Sequence, residues 1–220
     1  MMPYAFCMTD GFLVPQQQRS RETLARLITA TLVTLEKHGL EGATISRIAS
    51  EAKIAPASVY RRFRDRNALY RVALLSMLEG AASLEHINEV FGDQTLEAHV
   101  HRMVSFTLQQ YRLRPGLMRA LIRFIGSDSD EEFRARALRS ISINFERFAD
   151  RLLAYREQIK SSNPHKAVIF ALLTMGTVIE VRALEQVSMW NELTRFDDEE
   201  FVIEVTRNFL GYLGYSDQRH

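Results

Sequence analysis

Apolar residues recur at three- and four-residue intervals along most of this 220-residue chain, which is the spacing of one face of an α-helix. No segment shows the sustained apolar-polar alternation of a half-buried strand. The pattern therefore predicts an all-α fold of about nine helices. The first apolar stripe lies between Ser20 and His38 and consists of Leu24, Leu27, Ile28, Thr31, Leu32 and Leu35.

Cap and breaker residues place the later helices. Asn163 followed by Pro164 is a strong helix start, because asparagine caps free N–H groups and proline lacks the N–H that the first position leaves unbonded. Ser129 with Glu132 three residues later predicts a capping box, and Asp197 predicts the last N-cap. Beyond residue 95 the predicted helices run over about 96–113, 116–125, 130–159, 164–190 and 198–213.

The stretch Thr44–Leu69 carries two short helices around a tight turn. Thr44 is placed to cap the first helix, and Pro56 opens the second. Asp65 is placed to cap a longer third helix, which continues towards Ile87 without a linker. Two short helices with a basic outer face on the second match a helix-turn-helix. Its inward residues are Ile45, Ile48, Ala49, Ala52, Val59 and Phe63, and its outward residues are Ala57, Ser58 and Arg61.

This stretch resembles the DNA-binding signature of TetR-family transcriptional regulators, and the helix before it fits as well. The resemblance covers Arg19 to Tyr70 and implies a DNA-binding head followed by an all-helical body. We therefore expect a loosely ordered arm at 1–18, a helix-turn-helix domain at 19–66 and a helical ligand-binding and dimerisation domain at 67–220. The matching residues are Thr44, Ile45, Ile48, Ala49, Glu51, Ala52, Ile54, Val59, Tyr60, Phe63, Asp65, Arg66, Ala68 and Leu69.

Two positions depart from the family pattern. Lys53 stands in the turn where the family has glycine, and a lysine takes a left-handed conformation at a cost of about 1 kcal/mol. Ala55 stands where a serine caps the recognition helix, so a side-chain cap and a phosphate donor are absent. Both changes affect the geometry of the recognition helix, whereas the inward residues keep the pattern.

The charge distribution agrees with a DNA-binding N-terminal part. The net charge is +1, but residues 1–70 hold ten Lys and Arg against six Asp and Glu, and residues 71–220 hold eighteen against twenty-one. A basic module on a mildly acidic body suits a DNA reader with a second task; the alternative is a chance asymmetry. With one cysteine, Cys7, and neither a signal-peptide pattern nor a continuous apolar run of about 18 residues, we expect a cytoplasmic protein that does not enter a membrane.

The search for catalytic or metal-binding residues gives no support for an enzyme. His99 and His101 are two residues apart, so on a helix they diverge and cannot share a metal ion. The acidic run Asp197–Glu200 lies at a helix start, where the helix dipole favours it, and a metal site there is the weaker alternative. The usual zinc, phosphate-loop and serine-hydrolase motifs are absent. No catalytic residue, metal or cofactor is therefore predicted.

Two functions are consistent with the helix-turn-helix. The first is a ligand-responsive regulator, expected to be a repressor that a small molecule releases from a palindromic operator. The second is a constitutive DNA-binding or scaffold dimer that senses no small molecule. They differ in whether the body encloses a ligand cavity, and the first is preferred mainly because of the family resemblance.

The outer face of the second short helix is expected to meet double-stranded operator DNA. Small side chains let the helix approach closely, and an arginine there has the donors for a guanine edge. An arginine at the start of the next helix lies where anions are favoured. The alternative is a solvated basic patch. The residues expected in the major groove are Ala57, Ser58 and Arg61, and those expected on phosphates are Thr44, Tyr60 and Arg66.

The helix starting at Pro164 is apolar on two faces, which indicates burial on two sides. One face should cover the core of its own chain and the other should meet a partner, so this helix and the last one are predicted to form a homodimer. The alternative is a central helix of a monomer. The first face consists of Val168, Leu172, Met175 and Ile179, and the second of Phe170, Leu173, Thr174, Thr177 and Val181.

The body is also predicted to hold a small-molecule inducer that is mostly apolar or aromatic, since its candidate walls are apolar with a few polar groups. Asn144 is the most informative of them, because a buried amide needs a partner. The alternative is that these residues only fill the core. The candidate ligand-binding residues are Met103, Phe106, Thr107, Gln110, Met118, Leu121, Asn144, Phe145, Phe148, Phe170, Thr174 and Thr177.

Overall fold

The computed structural model describes residues 18–81, 95–185 and 189–215. Within these ranges the chain forms ten α-helices, one 3-10 helix and no strand, so the all-α prediction is confirmed. Residues 1–17 of the predicted arm, and residues 82–87 at the end of the helix predicted to continue towards Ile87, lie outside the described residues. The helices are α1 (Gln18–Gly42), α2 (Ile45–Glu51), α3 (Pro56–Tyr60), α4 (Arg66–Ala81), α5 (Leu96–Leu113), α6 (Pro115–Ser127), α7 (Glu131–Leu153), α8 (Pro164–Leu184), α9 (Met189–Thr194) and α10 (Asp198–Tyr212).

The start of α7 differs from the sequence prediction. Asp130, not Ser129, caps the helix, because its carboxylate accepts a hydrogen bond from the N–H of Phe133 at 2.8 Å. The carboxylate of Asp128 in turn accepts from the N–H of Asp130 at 2.8 Å. Aspartate caps a helix as well as serine does, and the second aspartate fixes the turn that places Asp130 at this position.

Three other helix ends also differ. α1 is interrupted at Gly39, which is non-helical with φ 63° and ψ −173°, and helical residues resume beyond it as far as Gly42. α7 ends at Leu153 and is followed by a 3-10 helix at Arg156–Gln158. α8 ends at Leu184, and α9 is a separate short helix. The cap of α10 is as predicted, since Asp197 and Glu200 form a reciprocal capping box.

The described residues form two compact units. The first contains α1 to α4, α6 and α7 as far as Ser140. The second contains α5, α7 from Ile141, and α8 to α10. The predicted domain boundary at residue 66 stays a prediction.

The core of the first unit joins α4 to α6 and α7 through aromatic contacts. The ring of Phe124 meets the ring of Tyr70 edge-on at a centroid distance of 5.6 Å, and the ring of Phe133 at 5.3 Å. Such edge-to-face pairs stabilise a core beyond the area that they bury. The largest fully buried side chains of this unit are those of Leu27, Leu35, Ile48, Phe63, Leu69, Tyr70, Leu74, Leu117 and Phe133.

α6 starts directly against the end of α1. A Cβ atom at Gly116 would lie 2.1 Å from the carbonyl oxygen of Glu36, so no other residue fits without moving the backbone. The N–H of Leu117 donates to the carboxylate of Glu36 at 2.6 Å. The two contacts join the last turns of α1 to the start of α6 within the same unit.

A buried ion pair ties α4 to the loop before α7. The guanidinium of Arg71 binds Asp128 at 2.9 to 3.1 Å through three N···O contacts. A third residue, Asp130, lies 3.4 Å from Arg71. The side chain of Asp128 is fully buried and that of Arg71 is 12% exposed. A buried carboxylate is tolerated only with such a partner.

In the second unit, α5 packs against both α8 and α10. Val168, Leu172, Met175 and Ile179 are all buried, which confirms the prediction for the first face of α8. Among the helices described, α8 is long and apolar enough to cross a membrane by length and composition alone. In the structure, however, the four residues of its first face lie in the hydrophobic core of the second unit.

The second face of α8 is exposed in the single chain. Phe170 and Leu173 of this face are 47% and 56% exposed, and Val178 beside them is 47% exposed. Thr177 is also exposed, whereas Thr174 and Val181 are half-buried. The ring of Phe170 lies 5.3 Å from that of Tyr212 on α10, which is exposed as well. An apolar strip on α8 and α10 is therefore left without cover from its own unit.

Candidate DNA-binding surface

α2 has the start that the sequence predicts. The hydroxyl of Thr44 accepts a hydrogen bond from the N–H of Arg47 at 3.3 Å and so caps the helix. Ile45, Ile48 and Ala49 are buried on its inner face. Because a hydroxyl can donate while it accepts, the O–H proton of Thr44 stays available to an external acceptor.

The turn after α2 has a left-handed residue that is not glycine. Lys53 has φ 54°. Its N–H donates to the carbonyl of Ser50 at 3.1 Å, and the N–H of Ile54 donates to the carbonyl of Ala49 at 2.9 Å. This pair of bonds is a Schellman motif, which ends a helix through one left-handed residue and favours glycine there. Lys53 therefore takes the left-handed conformation despite its cost, and the turn closes with a lysine in the place of glycine.

α3 presents two different faces. Val59 is fully buried and Phe63 is 1% exposed, so the predicted inward pair is confirmed. Ala57 and Arg61 are exposed on the other side, and Ser58 is half-buried beside them. Tyr60 is also exposed. As expected for Ala55, the helix has no side-chain cap at its start.

Two arginines after α3 have different partners. The guanidinium of Arg61 donates to the hydroxyl of Ser58 at 2.9 Å, which holds it along the outer face of α3. The guanidinium of Arg62 turns away and donates to the hydroxyl of Ser20 on α1 at 2.8 Å. Arg61 therefore lies on the outer face of α3 with Ser58, whereas Arg62 packs against α1.

The start of α4 is fixed by Asp65. Its carboxylate accepts from the N–H of Ala68 at 2.8 Å, which confirms the predicted N-cap. This hydrogen bond, with help from the neighbouring Arg64, holds the pKa of Asp65 below its usual value. The guanidinium of Arg66 lies 5.5 Å from the centre of the Tyr70 ring and 3.5 Å from the carbonyl of Glu41. Arg66 therefore has partners within the chain as well as a position beside the helix start.

Tyr70 secures α4 to the segment that leads into α2. Its hydroxyl lies 2.5 Å from the carbonyl oxygen of Ala43 and 3.1 Å from that of Leu40. Burial raises the pKa of Tyr70 to about 12. The sequence pattern marks Tyr70 only as the end of the family resemblance, and nothing in it signals these hydrogen bonds. They fix the orientation of α2 and α3 relative to α4.

Residues 27–73 match a family model described as bacterial regulatory proteins of the tetR family. The match runs from α1 into α4 and includes the whole helix-turn-helix. These residues form a TetR-family helix-turn-helix segment. The prediction from the sequence is therefore confirmed at the level of the family.

Solved structures of TetR-family and related regulators have the same fold. The fatty acid degradation regulator FadR of Bacillus halodurans is 16% identical, with a TM-score of 0.61 over 85% of this chain and 97% of that one. FadR of Bacillus subtilis in complex with stearoyl-CoA is 13% identical, with a TM-score of 0.64 over 86% and 98%. A TetR transcription regulator of Haloarcula marismortui is 17% identical, with a TM-score of 0.64 over 88% and 97%. No curated protein matches the chain.

The predicted ligand residues are distributed over both units of the chain. Met118 and Leu121 lie on α6 in the first unit, where Leu121 is buried in the core. The other ten lie in the second unit. There Met103 is fully buried in the core and Gln110 is exposed.

Three of the predicted ligand residues lie on the second, outward face of α8. Phe170 and Thr177 are exposed, and Thr174 is half-buried. The hydroxyls of Thr174 and Thr177 bond to carbonyls of α8 itself, at 2.9 Å in each case. The structure does not bring these three together with Met103, because the two faces of α8 point in different directions. A helix that is apolar all round does not reveal from its sequence which face lines a cavity.

Asn144 on α7 is the one predicted ligand residue with an unused polar atom. Its Oδ1 is buried and has no hydrogen-bond partner within the described part of the chain. Phe145 and Phe148, its neighbours on α7, are partly buried and pack against the core of the second unit, as does Phe106 from α5. The sequence indicates that a buried amide at Asn144 needs a hydrogen-bond partner, and in the structure the atom that lacks one is Oδ1.

Proposed function

We propose that this chain is a ligand-responsive transcriptional regulator that binds double-stranded operator DNA through α3. The observation that carries the proposal is the division of α3 into a buried side, Val59 and Phe63, and an outer side with Ala57, Ser58 and Arg61. The inner side fixes the helix to the unit, and the outer side has the small Ala57 and Ser58 beside Arg61 and the exposed Tyr60. A helix of this shape can enter a major groove.

Each residue of the proposed DNA-binding surface has a distinct role. Ala57 and Ser58 allow close approach, while Arg61, already held by Ser58, reads a guanine edge. The exposed hydroxyls of Thr44 and Tyr60 donate to phosphates, and Arg66 supplies charge beside them. Phosphate contacts set the position on DNA, and the base contact sets the sequence preference.

The regulator acts as a homodimer in this proposal. The uncovered strip on α8 and α10 borders a groove of about 360 Å³ that includes Thr174, Val178 and Phe196. Two copies related by a twofold axis would fill each other's grooves and cover the strip. The twofold axis places two α3 helices against a palindromic site, with half-sites about one DNA turn or somewhat more apart.

The ligand of the proposed regulator is an apolar or aromatic small molecule with at least one hydrogen-bond donor. The unpaired Oδ1 of Asn144 accepts from the donor, and the partly buried rings of Phe145, Phe148 and Phe106 contact the apolar part. FadR of Bacillus subtilis, which has the same fold, holds stearoyl-CoA, so a body of this fold can accommodate a long apolar chain. Ligand binding favours a dimer in which the two α3 helices no longer match the operator, and repression ends.

Ligand release is tested with an operator selected from random DNA by the purified chain. The selection should enrich an inverted repeat. A panel of fatty acids, acyl thioesters and aromatic compounds is then screened for release of the labelled operator and for thermal stabilisation. By linkage, a compound that releases DNA must bind the operator complex more weakly by the same factor.

Asn144→Leu should raise the melting temperature, because it removes a buried unpaired polar atom. It should also raise the concentration of the active compound needed for release by about 5-fold or more, since a lost hydrogen bond in a buried site costs about 1–3 kcal/mol. Gln109→Leu, on the exposed side of α5, is the matched control and should leave release unchanged. Normal release from Asn144→Leu would exclude Asn144 as a ligand contact. If no compound in the panel releases the operator, the result favours the constitutive DNA-binding dimer.

A further inference from the structure

Lys53 holds a conformation that a lysine adopts at a cost. It is the left-handed residue of the Schellman motif after α2, with φ 54°. Glycine takes this conformation without strain, and other residues do so with a penalty. Strained residues of this kind cluster at functional sites, where the side chain has a role that offsets the strain.

The side chain of Lys53 has no task inside the described part of the chain. It is exposed, and its ammonium group takes part in no hydrogen bond or ion pair among the described residues. By contrast, Lys37, also exposed and on α1, lies 3.5 Å from the carboxylate of Glu51. A favourable interaction with the C-terminal dipole of α2 is the one local role open to Lys53.

The sequence around Lys53 is poor in other donors. From Ala52 to Ala57 the chain reads Ala-Lys-Ile-Ala-Pro-Ala, so Lys53 carries the only side-chain hydrogen-bond donor of this stretch. Ala55, which begins α3, has no side-chain hydrogen bond to the helix. Pro56 also lacks a backbone N–H. Without Lys53, the segment Ala52–Ala57 would therefore have no side chain that could donate a hydrogen bond to a phosphate.

The position of the turn suits a phosphate contact. In a helix-turn-helix, the first helix crosses the DNA backbone and the first residues of the second helix meet base edges. The turn that joins them lies where the backbone borders the groove. Lys53 is three residues before Pro56, the first residue of α3, and a lysine is a flexible point charge with a long stem.

We propose that Lys53 is a phosphate-contacting residue of the DNA interface, and that its side chain supplies the donor that Ala55 lacks. The inference rests on the proposed DNA-binding function. The contact is independent of sequence, so it strengthens binding to the operator and to random DNA alike. Both protomers of the dimer contribute one such contact.

Lys53→Gly separates strain from DNA binding, because the two effects have opposite signs. The variant should melt at a higher temperature than the unmodified chain, since glycine fits the left-handed position. It should bind the operator and random DNA about 5–10-fold more weakly at low salt, and the slope of log affinity against log salt should become shallower by about 0.9 for each lost phosphate contact. Lys53→Arg should keep both the affinity and the slope.

Arg195→Gly is the matched control. Arg195 is exposed and is the other described residue, apart from glycines, with a positive φ, at 45°. This variant also removes one positive charge and one strained residue, but it lies in the second unit, so its DNA affinity and salt slope should stay unchanged.

Two negative results have separate meanings. If the unmodified chain shows no DNA binding, the proposed function and the role of Lys53 both fail. If the unmodified chain binds DNA and Lys53→Gly binds with the same affinity and salt slope, only the role of Lys53 fails. In that case its charge acts on the end of α2 alone.

Discussion

Val178→Asp should convert the dimer to a monomer and weaken operator binding at least about 100-fold, because the two half-sites are then no longer held by one linked molecule. Val178 is 47% exposed and lines the groove between α8 and α10. In the proposed dimer the substitution places a carboxylate from each protomer in an apolar interface. A buried charge without a partner costs several kcal/mol. Light scattering at micromolar concentration measures the mass, and an operator titration measures the affinity.

Ile203→Asp is the control for the dimer prediction. Ile203 is 41% exposed on α10, but it lines the groove towards α5 and not the one towards α8. This variant introduces the same charge at nearly the same exposure and should remain a dimer with unchanged operator affinity. A monomeric unmodified chain, or a dimeric Val178→Asp variant, would contradict the assignment of this interface.

Arg71→Met should destabilise the first unit by about 3–5 kcal/mol, because it leaves the carboxylate of Asp128 buried without its partner. The side chain of Asp128 is 0% exposed and receives three contacts from Arg71. Adding Asp128→Asn should recover part of the loss, since the amide oxygen can still accept from the N–H of Asp130 while the charge is removed. The urea midpoint of unfolding measures both variants.

Arg136→Met provides the comparison for this ion pair. Arg136 binds Glu79 at 2.8 Å within the same unit, but their side chains are 24% and 43% exposed. Ion pairs in contact with solvent contribute about 0–1 kcal/mol, so this variant should unfold close to the unmodified chain. If Arg71→Met were as mild as Arg136→Met, burial of Asp128 would not determine the stability of this unit.

The helix-turn-helix could be predicted from the sequence because its determinants are local. Thr44, Pro56 and Asp65 act within one turn of their own helix, and the spacing of Val59 and Phe63 alone fixes which side of α3 is buried. Local rules of this kind do not depend on how distant helices pack.

Contacts between distant segments could not be predicted. Arg71 and Asp128 are 57 residues apart, and nothing in either segment marks the other as its partner. Tyr70 finds the carbonyls of Leu40 and Ala43 only after α4 has packed against α1. At the start of α7, Asp128, Ser129 and Asp130 can each act as a cap. Asp130 takes this position because Asp128, held by Arg71, fixes the turn before it.

The use of apolar surface could be predicted only in part. The sequence shows that α8 is apolar on both faces, and the buried face is as expected. It does not show whether Phe170 and Thr177 meet a ligand or a partner helix, because both need the same apolar residues. The exposure of this face in the single chain favours the partner helix, and the unpaired Oδ1 of Asn144 moves the ligand prediction to α7.

Titration of Arg61→Ala and Arg66→Ala on the selected operator, on single-base variants of it and on random DNA is the most direct test that α3 reads sequence. Arg61→Ala should lose about 1–3 kcal/mol on the operator and lose its preference at one base position of each half-site, with little change on random DNA. Arg66→Ala should weaken binding to operator and to random DNA alike. Arg66→Lys keeps the positive charge while it changes the contact with the Tyr70 ring, so it separates the loss of charge from the loss of that contact. Equal losses on operator and random DNA for Arg61→Ala, with every base preference retained, would contradict the assignment of α3 as the reading helix.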